Sequence, residues 1–173
     1  APSGKMDLLF EIIDQAVDGG HKTLVFSQFT GMLDLIQAGL VERGLSLVRL
    51  DGSTSVARRG KLVDRFNSDP GISTFLISLK AGGTGLNLTA ADTVIHVDPW
   101  WNPAAEDQAS ARAHRMGQKN PVNVYKLIAE NSVEEKILYL QQDKKKLFEA
   151  VVGSGGAAFN RFSLDQIRDL FRA

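Results

Sequence analysis

Apolar side chains recur along this chain with two alternating spacings. From Lys5 to Val17 the positions Leu9, Ile12, Ile13, Ala16 and Val17 follow the repeat of a helix with one buried face, closed by Gly19-Gly20. "KTLVFS" (22–27) is a short apolar run rich in strand formers, and a helix is expected after it from Gly31 to Arg43, with Thr30 as cap and Gly44 as stop. The pattern then repeats. "LSLVRL" (45–50) leads through Asp51-Gly52-Ser53 to a helix containing Leu62, Val63 and Phe66 that ends before Pro70. "STFLIS" (73–78), "TVIHV" (93–97) and "VNVYKLI" (122–128) complete five strand candidates. Short, nearly continuous apolar strands separated by amphipathic helices predict an α/β doubly wound, mainly parallel sheet with helices on both faces. Two appended helices are expected at the C-terminal end, each opening on a capping box: Ser132-x-x-Glu135 and Ser163-x-x-Gln166. The expected division is a main domain over 1–152, a flexible Gly/Ala-rich linker over 153–162 and a C-terminal helix over 163–173.

Composition narrows the chemistry. With 43% apolar residues the chain can build a real core, and 20 basic residues against 20 acidic ones leave a formal charge of zero. A general attraction for nucleic acid is therefore absent, and any such binding must come from local patches. The lack of cysteine excludes disulfides and thiolate metal sites and fits a reducing compartment. His21, His96 and His114 fall on a turn, a strand and a helix, so no metal site is expected. No run reaches membrane-span length and "APSGKMDLLF" carries no signal-peptide pattern, so a soluble intracellular chain with no membrane partner is expected.

In open parallel sheets ligands collect beyond the carboxyl ends of the strands, where loops and helix N-termini converge. The residues expected there are Ser27-Gln28, Asp51-Gly52-Ser53-Thr54, Leu79 to Thr84, and Asp98-Pro99-Trp100-Trp101-Asn102. Ordinary turn chemistry accounts for any one of these loops. Four together point to a phosphate or a base. "KAGGTGLNL" (80–88) has two readings. As a dinucleotide fingerprint, Gly83-x-Gly85 lacks a third small residue at Leu88; as a glycine-rich loop it brings backbone N–H groups close to a phosphate. The second reading accounts better for the residues. Two adjacent tryptophans cannot both enter one pocket, so one is expected in the core and the other is available for stacking.

"QASARAHRMGQK" (108–119) places Gln108, Arg112 and Arg115 on one helical stripe among alanines, with no carboxylate interleaved. A solvated face is the ordinary explanation for paired arginines. The slim alanine surface and the stop at Gly117 favour a helix pressed against a partner, and an unpaired guanidinium there suits a phosphate arriving across a cleft.

In this order and spacing, "TLVFSQF", "RLDGSTS", "LISLKAGGTGLNLTAADTVIHVDPWWNP" and "QASARAHRMGQ" resemble the second RecA-type motor lobe of the Swi/Snf-family DNA translocases, within the superfamily-two helicase-like ATPases. The resemblance spans roughly Lys5 to Tyr139. It implies that Arg112 and Arg115 act as arginine fingers on ATP held by the other lobe, with Gln108 and Gly85 toward the nucleotide. It also implies DNA-backbone contacts from Ser27, Gln28, Gly52, Ser53, Arg58 or Arg59, Lys80, Gly82, Gly83 and Thr84, with Trp101 lying against the DNA. Such contacts carry little base-sequence information. The sequence contains no G-x-x-x-x-G-K-[ST] loop and no acidic pair in magnesium-binding context. ATP with Mg is thus expected to be bound mainly by the N-terminal RecA-like lobe of the same parent chain, and this chain alone is expected to be inactive. Double-stranded DNA, and a DNA-bound protein complex, are the further partners implied. A parent in bacteria or archaea would be cytoplasmic and nucleoid-associated, one in eukaryotes nuclear; the brief extension after Val151 leans toward the former. Two rival functions are a Rossmann-like nucleotide-binding enzyme of small molecules, which requires tight nucleotide binding by this chain alone, and a non-catalytic protein-interaction module.

Overall fold

The computed structural model describes residues 4–78, 86–98, 109–111, 113, 118–128 and 140–143. In chain order these give α1 (Gly4–Asp18), β1 (Thr23–Ser27), α2 (Thr30–Glu42), β2 (Ser46–Leu50), α3 (Val56–Ser68), β3 (Ile72–Ser78), β4 (Thr93–His96) and β5 (Asn123–Lys126). The five strands form one sheet in the order β2-β3-β1-β4-β5. Every pairing is parallel, with Ser27 opposite Ser78 and Phe26 opposite His96 at the ends of the central strands. All the carboxyl ends therefore emerge on one edge. The linker 153–162, the terminal helix and all of the first appended helix except residues 140–143, which are helical with Gln141 buried, lie outside the described residues.

The alternation of side chains along each strand divides the core in two. Leu24, Phe26, Val48, Leu50, Phe75, Ile77 and Val94 meet α3 through Leu62, Val63 and Phe66, together with Ala109 and Ala113. Val25, Leu76 and Ile95 face the other way and meet α1 and α2 through Leu9, Phe10, Ile13, Leu33, Ile36 and Leu40. The chain steps outward from β1 to β2 through α2, then back inward to β3 through α3. A right-handed crossover on each step demands that the two helices cover opposite faces, as they do.

The boundaries differ from the expected ones by a residue or two, with one informative exception. The N-cap of α2 is Phe29, which makes no side-chain cap bond, rather than Thr30, which is already helical. Burying Leu33, Ile36 and Leu40 contributes roughly 5 to 9 kcal/mol of gross transfer energy, whereas a side-chain cap contributes about 1 kcal/mol. Packing thus fixes where α2 starts, and its first turn is left without a side-chain acceptor. By contrast, the hydroxyl of Ser55 caps α3 by accepting the Arg58 N–H at 3.3 Å. Gly44 follows the α2 C-cap with φ of +71°, a conformation that costs most side chains steric strain. At the far end of α3, the Lys22 ammonium donates to the Phe66 carbonyl and, at 2.6 Å, to that of Asp69. Burial lowers the Lys22 pKa from its ordinary value, the Asp69 charge opposing the shift.

At Gly39 of α2 the ring of Phe10 from α1 packs directly against the helix backbone. A Cβ there would lie 2.8 and 2.9 Å from Cε1 and Cε2 of Phe10, a buried ring whose other neighbours include the Arg43 guanidinium, 4.1 Å from its centroid. Gly39→Ala should therefore lower stability by roughly 1 to 3 kcal/mol through overpacking, instead of giving the gain of about 1 kcal/mol usual for a helix-interior glycine. The urea midpoint of the variant checks this, and a rise in midpoint would contradict the packing described.

Candidate nucleotide and nucleic-acid interface

The carboxyl edge is organised by a buried carboxylate. Asp98, two residues past β4 and 2% exposed, accepts the Ser27 hydroxyl at 2.5 Å and the Gln28 N–H at 3.1 Å. The Phe29 N–H in turn donates to the Ser27 oxygen at 3.1 Å. These bonds fold the chain sharply between β1 and α2, so the uncapped start of α2 faces out over the sheet edge. Ser27 was expected at a phosphate. It is fully buried, and its hydroxyl bonds to Asp98 and accepts the Phe29 N–H.

The next loop is tied with equal economy. One oxygen of Asp51 accepts both the Ser53 N–H at 2.9 Å and the Ser53 hydroxyl at 2.5 Å, while the other accepts Arg49 Nε at 3.0 Å. The Asp51 N–H donates to the Thr54 hydroxyl at 3.1 Å. The Ser53 hydroxyl chiefly, then the Ser53 amide, hold the Asp51 carboxyl below its ordinary pKa, and Arg49 acts in the same direction. Ser53, expected at a phosphate, here bonds to Asp51 through both its amide and its hydroxyl. Gly52 projects at the apex, where an added Cβ would meet nothing within 4 Å. Arg59, on the first turn of α3, donates through Nε to the Thr54 carbonyl at 3.3 Å, which orients its guanidinium along the loop. Arg58 is exposed beside it.

Between these walls lies an open groove of about 640 Å³, lined by Gln28, Phe29, Thr30, Gly31, Gly52, Arg59 and Ser78. Three expected site residues, Gln28, Gly52 and Arg59, are thereby brought to one face, and Arg58 is not among the lining residues. The positive end of the α2 dipole and a guanidinium on one wall suit an anion. Ser78, at the end of β3, was not anticipated.

On the other side of β4, His96 stacks against Phe26 with centroids 5.4 Å apart and bonds through Nε2 to the Ser110 hydroxyl at 2.9 Å. Ser110 belongs to the segment expected to carry the arginine stripe, and Ala109 and Ala113 beside it are buried in the α3-side core. The alanine face thus packs inward on the sheet. Gln108, Arg112 and Arg115, together with Lys80, Gly82, Gly83, Thr84, Gly85 and Trp101, lie outside the described residues. Asp98, Arg49 and Ser110 carried roles the sequence reading did not assign. A lone charge in an apolar strand was the available signal for Arg49. Among the described residues there is no group of three His, Cys, Asp or Glu that could hold a metal, and no helix is long and apolar enough to cross a membrane.

A parallel, two-faced α/β lobe with an anion-receptive carboxyl edge is the class this architecture defines. Residues 4–117 match the helicase conserved C-terminal domain family, and the chain belongs to that family as a C-terminal RecA-like lobe of the Snf2 ATPases. It is similar to the helicase-like transcription factor CHR28 of Arabidopsis thaliana, with 45% identity over 88% of this chain and 16% of that protein. It also resembles the ATP-dependent helicase rhp16 of Schizosaccharomyces pombe, 45% identical over 87% of this chain and 17% of that protein. Helicase SWR1 of Candida glabrata is 40% identical over 97% of this chain and 12% of its own length. The crystal structure of the C-terminal part of the Fun30 ATPase domain superposes with a TM-score of 0.76 at 40% identity, covering 95% of this chain and 47% of that one. The chain spans less than a fifth of the length of these curated relatives.

Two measurements test the edge as described. Asp98→Ala leaves the Ser27 hydroxyl and the Gln28 N–H without their buried acceptor, and should cost about 2 to 5 kcal/mol of unfolding free energy. Amide exchange at Gln28 should quicken more than at mid-strand Val25, and uniform exchange across β1 would argue against a local anchor. For Asp51 a depressed folded pKa means a contribution present above the unfolded value and lost as pH falls through the folded one. Its carboxyl should accordingly titrate by NMR below its ordinary 3.8, leaving the loop unchanged at any pH well above that value, because hydrogen bonds to the charged form favour it. A midpoint above the ordinary value would contradict the bonding.

Proposed function

We propose that this chain is the second motor lobe of an ATP-dependent double-stranded DNA translocase, supplying arginine fingers to ATP and backbone contacts to DNA. The observation that carries the reading is the carboxyl-edge groove, with the α2 N-terminus on one wall and Gly52 and Arg59 on the other, in a chain of the Snf2 helicase C-terminal family. Gln28, Gly52, Arg58 and Arg59, with Lys80, Gly82, Gly83 and Thr84, approach phosphates, and Trp101 lies against the DNA. Ser27 and Ser53 shape the loops that present them. Arg112 and Arg115 meet the nucleotide, with Gln108 and Gly85 near it.

The lack of a phosphate-cradling loop in this sequence supports binding of the triphosphate and its magnesium by the other lobe. Magnesium there would neutralise charge on the transferred phosphoryl group. This chain's contribution is a pair of guanidinium groups, so alone it hydrolyses no ATP at a useful rate. The partners are accordingly the N-terminal lobe of the parent chain, double-stranded DNA and a DNA-bound protein complex. We take residues 1–152 as the lobe, 153–162 as a linker and 163–173 as a terminal helix. The relatives named come from a plant and fungi, which supports a eukaryotic, nuclear parent over a bacterial or archaeal one.

Arginine fingers in phosphoryl transfer contribute about 10³ to 10⁵ in rate, against less than about 1 kcal/mol for a solvated surface pair. Arg115→Ala in the full-length parent should abolish DNA-stimulated ATPase while leaving ATP affinity nearly intact. Arg115→Lys should fail as well, because the planar fork is lost. Residual turnover above about a tenth of normal, a barrier change under roughly 1.4 kcal/mol, would sink the finger role.

A further inference from the structure

A carboxylate is an awkward neighbour for a DNA phosphate, yet Asp51 stands next to Gly52 at the groove wall. Like charges at this range repel, and the repulsion is least screened where water is partly excluded. The geometry around Arg49 resolves the conflict. Its Nε donates to Asp51 at 3.0 Å, and its Nη1 donates to Asp34 at 2.6 Å and to the side-chain amide oxygen Oε1 of Gln37 at 3.1 Å. The side chains of Arg49 and Asp51 are only 19% and 17% exposed, so this pair is sheltered, whereas Asp34 is 67% exposed.

From its place on β2, the one guanidinium thus joins α2 to the loop that follows the strand. Alternation along the strand sends Val48 and Leu50 to the α3 side, and leaves Arg49 on the side covered by α2. The two elements it joins bear the two walls of the groove: α2 begins at one wall, and Gly52 forms part of the other. A rigid planar fork with several donors can hold acceptors from both at once, whereas a lysine ammonium offers a single point of charge.

We infer that Arg49 is a positioning residue for DNA-phosphate binding: it turns the Asp51 charge away from the groove and fixes the separation of its two walls. The assignment rests on the reading of the groove as a DNA-phosphate site. Arg49 itself does not line the groove and touches no phosphate. Its effect travels through the loop from Asp51 to Ser55, whose own bonds present Gly52 and orient Arg59.

The test uses the full-length parent protein and mixed-sequence double-stranded DNA, following the DNA concentration that half-saturates ATPase, kcat at saturating DNA, and thermal stability. Arg59→Ala probes the groove directly. Arg49→Met removes the fork, and the double variant Asp34→Ala with Gln37→Ala removes its α2 anchor at partly solvated positions where loss of the fold is not at issue. Arg49→Met should raise half-saturating DNA about tenfold, the equivalent of about 1.4 kcal/mol, with the Asp34/Gln37 variant shifted in the same direction. The fall in kcat at saturating DNA should be the smaller effect. In the Arg59→Ala background the Arg49→Met effect should shrink to less than about half its size on a logarithmic scale, since both act through one loop. If Arg59→Ala leaves DNA dependence unchanged, the groove reading fails and this assignment with it. If Arg59→Ala weakens DNA binding while Arg49→Met and the Asp34/Gln37 variant lower only thermal stability, the groove stands and the role given to Arg49 is overturned.

Discussion

Where the two central strands run out, one buried carboxylate determines how the chain leaves them. Asp98 takes a hydrogen bond from the Ser27 side chain and another from the Gln28 backbone. A carboxylate so placed is tolerable only when its oxygens are saturated, because desolvation of an unpaired one costs several kcal/mol. The requirement acts in both directions: the turn satisfies the carboxylate, and the carboxylate forces the turn. Everything on that wall of the groove follows, including the direction in which α2 sets off and the exposure of its first amides. A parallel sheet makes this arrangement economical, since all of its strands deliver their ends to the same edge.

The second loop solves a related problem by different means. An acidic residue beside an anion site is unfavourable unless its charge is answered nearby, and Asp51 is answered by Ser53 and Arg49. In the structure both Ser53 donors serve this internal bonding. What remains on offer is the glycine apex, the arginine of the first turn of α3, and the start of α2. The wall is therefore defined as much by the donors it withholds as by those it presents.

Strand positions were legible in the sequence to within a residue or two at most ends, because the central strands are nearly continuous apolar runs set off by polar or turn residues. Helix periods were equally plain, and the carboxyl-edge rule located the loops before any coordinates. The partnerships were not legible. Ser27 and Asp98 are 71 residues apart, and no local pattern says that one hydroxyl will be consumed by the other. The same holds for Arg49 and Asp34, joined across 15 residues by the packing of α2 on the sheet. Thr30 looked like a cap because its residue type favours one, but the burial of three large side chains outweighed that local preference and started the helix a residue early. Sequence thus located polar groups well and assigned their hydrogens badly, since a hydrogen bond inside the fold depends on geometry that only the assembled sheet creates.

A formal charge of zero adds a constraint on what such a lobe can do with DNA. Counterion release scales with the number of phosphates neutralised, so a chain with no excess positive charge gains affinity only from the few cations its loops hold at one edge. On the function proposed, that weakness is an advantage: a motor that steps must let go on each cycle, and a lobe clamped to DNA by bulk charge would spend part of each stroke breaking contacts. Precision has to replace strength. Two polar ties at the carboxyl end of β4 supply it, one through Asp98, two residues past the strand, to the turn before α2 and the other through His96, its last residue, to Ser110 in the segment that leads to Arg112 and Arg115. A shift of β4 against its neighbours would disturb both at once, and on the function proposed this would give the DNA-contacting and nucleotide-contacting parts a common mechanical support.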